Sequence, residues 1–270
     1  MTQKPDSAVL AIVVFDIDGV IRDVSGSYRL ALADTVEHFT AAAYRPSQTE
    51  IDALKAEGLW NNDWEASREL VYRYFESQGR PRSQLSLNYE ELVAFFQRRY
   101  RGPDSTHWTG YICQEPLLIQ VPYLEALTNR GMVWGFFSGA TRGSATYVLE
   151  RRLGLESPVL VAMEDAPGKP NPTGLLQTVQ LLEERHGLPA GLPVLYAGDT
   201  VADLHTVQQA QRVAPERAWL GVGVLPPHAQ QSREYAAAYA TRLQQAGAVL
   251  VLDAVEQLTA PEIKRLIAAL

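Results

Sequence analysis

Hydrophobic and polar positions along the chain follow two rhythms. Val9 to Val20, VLAIVVFDIDGV, opens with an unbroken apolar run that stops at Asp16-Ile17-Asp18-Gly19. A run rich in Val and Ile without polar alternation predicts a strand covered on both faces, as in a parallel sheet. From Arg22 to Gly110 the pattern is helical instead. Tyr28 to Tyr44 places Leu32, Val36 and Phe39 on one face, and a second helix starts at Ser47, with Glu50 completing a capping box, and stops at Gly58. A third begins near Asn62-Asp63 and ends before Gly79; a fourth starts at Asn88, with Glu91 at the box position, and runs to Gly102.

From Thr109 onward strand and helix alternate. Helices are predicted over Tyr123 to Arg130, Ser144 to Leu153, Pro172 to His186, Asp203 to Val213, around Gln230 to Gln245, and Pro261 to Leu270. The strands between them are Met132 to Phe137, Pro158 to Met163, Pro193 to Ala197, Trp219 to Val224 and Val249 to Leu252. This alternation predicts an α/β fold built on a doubly wound parallel sheet, with the helical stretch as a second, smaller subdomain.

Composition narrows the classes. At 270 residues and 46% hydrophobic, the chain can bury a substantial core. A net charge of -7, with basic residues only in short groups such as Arg80-Pro81-Arg82 and Arg98-Arg99, argues against a nucleic-acid surface. The single cysteine, Cys113, excludes an internal disulfide framework and any multi-cysteine metal site. The apolar run Ala8 to Phe15 is too short to span a membrane and has no small-residue cleavage site after it, so a cytoplasmic chain without membrane contact is expected.

The chemistry gathers where predicted strands end. The first ends in Asp16 and Asp18, the second in Ser138-Gly139-Ala140-Thr141-Arg142, the third in Glu164, Asp165 and then Gly168-Lys169-Pro170, and the fourth in Gly198-Asp199-Thr200-Val201-Ala202-Asp203. Ligands of open parallel sheets bind at the carboxyl ends of the strands, so these groups are expected to converge. Strand side chains alternate, which puts Asp16 and Asp18 on one side, and Gly19 permits a sharp turn after them. Two like charges a few Å apart repel by about 4 kcal/mol at an effective dielectric of 20. A positive partner is therefore expected, and a hard divalent cation such as Mg2+ suits carboxylates together with phosphate oxygens.

Each group also has a plainer reading. Asp203 and Ser138 read equally as helix caps, Lys169 as a solvated loop lysine, and Arg22 and Arg142, candidate substrate contacts, as partners in ordinary salt bridges. Trp60-Asn61-Asn62-Asp63-Trp64 reads as a helix N-cap between two anchoring indoles, or as a substrate contact through Asn62. His38, His107, His186, His205 and His228 share no metal-ligand spacing, and neither a GxxxxGK[ST] loop nor a G-x-S-x-G elbow is present.

Taken in order, the four segments resemble the motifs of the haloacid dehalogenase-like hydrolase superfamily: D-x-D at Asp16-Ile17-Asp18, a hydroxyl after a strand at Ser138, a lysine at Lys169, and G-D-x-x-x-D at Gly198, Asp199 and Asp203. The helical insertion resembles the helical C1 cap of its subfamily IA, which includes sugar-phosphate phosphatases and mutases. The resemblance implies an α/β core over 1–21 and 105–270, with a cap over 22–104 whose joints lie near Ile21 to Gly26 and Gly102 to Gly110. It implies a two-step phosphoryl transfer: Asp16 as nucleophile forming an aspartyl-phosphate, and Asp18 as acid and then base. Mg2+ would be held by Asp16, the backbone carbonyl of Asp18 and Asp199, with Asp203 as ligand or support. Ser138, the Gly139 amide and Lys169 would hold the phosphate.

An intact D-x-D favours an oxygen leaving group over a halide, which needs no proton. The expected activity is hydrolysis of a small phosphorylated metabolite by a monomer or homodimer. A phosphomutase of the β-phosphoglucomutase type and a non-catalytic phosphate-binding regulatory module are the alternatives.

Overall fold

The computed structural model describes residues 9–57, 59–60, 62–104 and 106–270. Gly58, the expected stop of the second helix, and also Asn61 and Ser105 lie outside the described residues. The chain divides into two compact units, one formed by the chain up to Asp23 together with Leu117–Leu270, the other by Val24–Pro116.

The first unit opens with β1 (Ala11–Phe15), every residue of which is buried. Then the chain builds the helical unit: α1 (Tyr28–Phe39), α2 (Gln48–Ala56), α3 (Asp63–Ser77) and α4 (Tyr89–Tyr100). Its caps are those the residue types dictate. Ser47 and Glu50 form a reciprocal capping box at α2, Asn62 accepts from the amides of Trp64 and Glu65 at α3, and Asn88 does the same for Glu90 and Glu91 at α4. Leu32, Val36, Ile51, Leu70, Leu92 and Phe96 are buried within this unit, and the Tyr28 and Tyr100 rings stack with centroids 4.3 Å apart. α1 is shorter than its apolar pattern predicts. The Thr40 hydroxyl donates to the Val36 carbonyl at 2.8 Å and accepts from the Tyr44 amide, and Ala41 and Ala42 take positive φ values of 54° and 63°, which ends the helix.

Back in the first unit the order is α5 (Val121–Thr128), β2 (Met132–Phe137), α6 (Arg142–Thr146), β3 (Leu160–Val161), α7 (Thr173–His186), β4 (Val194–Gly198), α8 (Val201–Val213), β5 (Trp219–Val224), α9 (Arg233–Gln245), β6 (Ala248–Leu252) and α10 (Ala260–Ala268). Among the described residues these strands form one parallel sheet in the order β3-β2-β1-β4-β5-β6. The fold is a Rossmann-like, doubly wound α/β sheet, with a smaller helical unit beside it in the sequence. Alternate β1 residues serve alternate faces. Ile12 and Val14 pack with Leu175, Val179 and Leu182 of α7 and Val207 and Ala210 of α8, while the Phe15 ring meets Tyr123 of α5 edge-on at 6.2 Å.

Three departures from the predicted elements have local causes. β3 is two residues long, because its chain turns away at once: the Asp165 carboxylate takes the Ala162 amide at 2.7 Å and the Ala140 carbonyl takes the Met163 amide. The helix after β2 starts at Arg142, whose amide is bound by Glu164 at 2.8 Å, and continues past Thr146 as a wider π turn over Tyr147–Arg152. The predicted helix from Gln230 is a 3-10 turn, Pro227–Gln230, followed by α9 with Ser232 as its N-cap.

Strand order reverses between β1 and β4, which places their carboxyl ends at the switch point of the sheet. The register fixes the rows there. Phe15 pairs with Ala197, and the Asp16 amide donates to the Ala197 carbonyl at 2.9 Å, so Asp16 and Asp199 leave adjacent strands within two rows of each other. On the other side Phe15 pairs with Phe136, which brings the end of β2 and Ser138 to the same edge. Among the described residues no helix is long and apolar enough to cross a membrane.

Candidate active site

Asp16, Asp199 and Asp203 each place a carboxylate oxygen so that all three atoms lie within 4.8 Å of one another, and all three residues are buried. Lys169 reaches this group from the loop after β3. Its Nζ is 3.0 Å from Asp16 Oδ1 and 2.6 Å from Asp203 Oδ1, and it lies 5.2 Å and 5.3 Å from the ring centres of Phe137 and Tyr196. The lysine reading as a solvated loop residue therefore fails: its side chain is 11% exposed and paired twice.

Asp203 has both proposed characters at once. One oxygen, Oδ2, accepts from the Thr200 amide at 2.9 Å and from the Thr200 hydroxyl at 2.6 Å, closing a capping box at the start of α8. The other, Oδ1, faces Lys169 and lies 3.0 Å from the Tyr196 hydroxyl, which is also 3.1 Å from the Phe137 carbonyl oxygen. Gly198 is required for this approach, because a Cβ there would sit 2.3 Å from the Asp203 Cβ. Gly19 does the same for Asp199: at φ +75° it turns the chain past the carboxylate, and a Cβ would meet Oδ2 at 2.2 Å.

Burial and pairing pull these groups in opposite directions. Desolvation pushes the Asp16 carboxyl up to about 7 against the pull of Lys169, with Asp203 and Asp18 adding to the rise. Burial, then Asp203 and Asp16, hold Asp199 well above the usual carboxylate range. At Asp203 burial works upward too, but Lys169 and Thr200 overcome it and keep the carboxyl below its ordinary value. Lys169 likewise stays charged, as Asp16 and Asp203 outweigh the desolvation that would lower it.

Asp18 is half-buried and paired with Arg22, whose side chain is fully buried. With all groups ionised, the carboxylates of Asp16, Asp18, Asp199 and Asp203 outnumber Lys169 and Arg22 by two charges, a deficit that one divalent cation would offset. The three carboxylate oxygens lie within 4.8 Å of one another, near the separations of about 3–4 Å that octahedral Mg2+ at about 2.1 Å would set between its ligands. The residues present fit such an ion, all offering hard oxygen donors.

Ser138 is buried at the end of β2, with its hydroxyl accepting from the Ala140 amide at 3.1 Å, while Gly139 next to it is exposed. The remaining candidates sit apart from the acidic group in their bonding. Arg142, half exposed, pairs with Asp165 and ties the end of β2 to the loop after β3. Asn62 belongs to the helical unit and spends its side-chain oxygen on the α3 cap. Sequence reasoning misses Tyr196 and Phe137, and takes Gly19 only as the turn after Asp18, not as the space that Asp199 needs. A tyrosine inside an otherwise apolar buried strand, Val194–Gly198, was the available signal, since a buried hydroxyl needs a partner.

A parallel α/β sheet with this acidic cluster and lysine at its carboxyl edge defines a class, and comparison with known proteins agrees. The family model for haloacid dehalogenase-like hydrolases matches residues 10–211, and the chain belongs to that family. A curated relative, imidazoleglycerol-phosphate dehydratase from Phytophthora nicotianae, is 31% identical over 251 residues, covering 89% of this chain. The chain spans about half the length of that relative, 49%. Among solved structures, a phosphonoacetaldehyde hydrolase-like protein from Oleispira antarctica superposes with a TM-score of 0.64 at 18% identity, over 100% of this chain and 97% of its own. CbbY from Rhodobacter sphaeroides, solved in complex with phosphate, gives a TM-score of 0.59 at 13% identity, over 93% and 96% of the two chains. Those structural likenesses concern the fold.

Proposed function

We propose that this chain is a Mg2+-dependent phosphatase that hydrolyses a small phosphomonoester through an aspartyl-phosphate on Asp16. The observation that carries the reading is the meeting of Asp16, Asp199, Asp203 and Lys169 at the switch point of the sheet. Asp16 attacks phosphorus in line, which divides one difficult displacement into two easier ones. Asp18 gives a proton to the departing alcohol and then takes one from the water that releases phosphate. Ser138, the Gly139 amide and Lys169 hold the phosphoryl oxygens, and Asp203 with Tyr196 keeps Lys169 in place. Asp16, the Asp18 carbonyl and Asp199, with Asp203 behind them, would hold Mg2+, which would supply the positive charge that offsets repulsion between the nucleophile and its substrate.

The helical unit is assigned the choice of substrate, on the resemblance of the insertion to a C1 cap. The first substrates to test are imidazole-bearing phosphomonoesters, since imidazoleglycerol phosphate is the compound in the name of the longer Phytophthora relative. The experiment is release of inorganic phosphate from such esters and from p-nitrophenyl phosphate, with Mg2+ and after chelation by EDTA. Asp16→Asn should abolish turnover. Full activity in that variant, or activity indifferent to EDTA, refutes the mechanism; conversion of a hexose phosphate to its isomer without phosphate release would establish the mutase instead.

A further inference from the structure

Asp18 is gripped asymmetrically by Arg22. The Arg22 guanidinium sends both Nε and Nη2 to the same oxygen, Asp18 Oδ1, each at 2.7 Å. Among the described residues no hydrogen bond reaches the other oxygen, Oδ2, and the Asp18 side chain keeps 29% of its exposure while that of Arg22 keeps none. The backbone builds this arrangement. The amides of Ile21 and Arg22 both donate to the Ile17 carbonyl, at 2.8 Å and 3.1 Å, and the Gly19 amide donates to the Arg22 carbonyl at 2.9 Å. The loop thus folds Arg22 back beside Asp18, and its far side is tied to the returning chain by the Leu118 amide on the Ile21 carbonyl at 2.8 Å.

Arginine more often meets a carboxylate with two nitrogens on two oxygens, which occupies both. A fork closed on one oxygen has a different consequence. Oδ1 accepts two N–H groups whether the carboxyl is ionised or protonated, provided that the proton resides on Oδ2. The grip therefore survives proton transfer in either direction and also fixes the plane of the carboxyl group. Lysine, a single rotating ammonium, would attract the same oxygen without fixing that plane.

We propose that Arg22 is the positioning residue for Asp18, holding Oδ1 so that Oδ2 is the atom that gives and takes the proton. In the first step the Asp16 oxygen–phosphorus bond forms, the bond to the ester oxygen breaks, and the Oδ2 proton passes to that oxygen. In the second, water oxygen bonds to phosphorus, the Asp16 oxygen–phosphorus bond breaks, and a water proton passes to Oδ2. This rests on the phosphatase reading of the same site.

The test compares two leaving groups. An alkyl phosphate needs a proton as its alcohol departs; p-nitrophenyl phosphate releases a stabilised phenolate that needs none. The quantity measured is the ratio of kcat/KM for the two esters, which does not depend on how much of a preparation is folded. In Arg22→Gln, kcat/KM for the alkyl ester should fall by about 100-fold or more, the scale of a general acid, and that for p-nitrophenyl phosphate by less than about tenfold. Arg22→Lys keeps the charge and should recover only part of the ratio; it decides the matter if the glutamine variant does not fold. Equal losses on both esters, or an unchanged ratio in the lysine variant, would overturn the positioning role while leaving the phosphatase reading intact. A wild-type protein that hydrolyses neither ester overturns both.

Discussion

Gly19→Ala puts a single methyl group where the site has no room for one. Its Cβ would sit 2.2 Å from Asp199 Oδ2 and 2.6 Å from Cγ, whereas ordinary contact begins at 3.4 Å, so the carboxylate must withdraw by about 1.2 Å (3.4 less 2.2). The backbone adds a second cost: φ at +75° is the left-handed region, worth about 1–2 kcal/mol against a residue with a Cβ. Gly154 separates the two, having φ +77° with nothing within 4 Å of an added Cβ. Gly154→Ala should therefore lose about 1–2 kcal/mol and leave the proposed phosphatase activity as it is. Gly19→Ala should lose that amount plus about 1–3 kcal/mol of overpacking, read as the difference between the two variants in urea denaturation. If Mg2+ is the cofactor, as proposed, it tolerates little departure from ligand distances of about 2.1 Å, so the Mg2+ concentration giving half-maximal activity should rise about tenfold or more in Gly19→Ala alone. If the two variants lose equal stability and respond to Mg2+ alike, the close approach of Gly19 to Asp199 is not what shapes the site.

How far the sequence foretold this arrangement depends on the range of the forces involved. β2 and β5 appear with the bounds that their apolar runs predict, Met132–Phe137 and Trp219–Val224, because a strand buried on both faces leaves an unbroken hydrophobic signature. The caps at Ser47, Asn62 and Asn88 were legible for a similar reason: donor and acceptor are neighbours in sequence. β3 was overextended because its end is set by Asp165 turning back onto the Ala162 amide, a contact that hydropathy does not record. The ends of α1 and α6 likewise depend on Thr40 and on Glu164. At the site, the carboxylates and Lys169 could be named from their places after strands. Their division of labour could not. That Asp203 caps α8 with one oxygen and holds Lys169 with the other, or that Tyr196 and Phe137 seat the ammonium, follows only from three elements meeting.

Further outcomes follow from particular contacts. Tyr196→Phe removes the hydroxyl beside Asp203 Oδ1 while keeping the ring under Lys169, and should lower stability by about 1–3 kcal/mol in thermal or urea denaturation; a neutral result would show that the hydroxyl is not needed to satisfy Asp203. Gly174→Ala, at the start of α7, would drive a Cβ to 2.1 Å from the Phe137 ring, and should cost about 1–3 kcal/mol by the same assay, a wild-type midpoint contradicting the packing described. In the helical unit the buried Asp34 carboxylate is held by Arg45 at 2.8 Å, by Arg99 and by the Tyr111 hydroxyl at 2.7 Å; burial would raise its pKa, but Tyr111 and the two arginines outweigh it and keep the group below the ordinary carboxylate value. A lowered folded-state value means that this contribution is fully present above about pH 4, where the unfolded carboxylate is ionised, and is lost as pH falls through the folded value. Because both arginine side chains are more than 40% exposed and regain water when released, Asp34→Asn should cost only about 1.5–3 kcal/mol at pH 7, and the gap from wild type should narrow in acid; a gap independent of pH would show that the carboxylate's charge is not what holds this cluster.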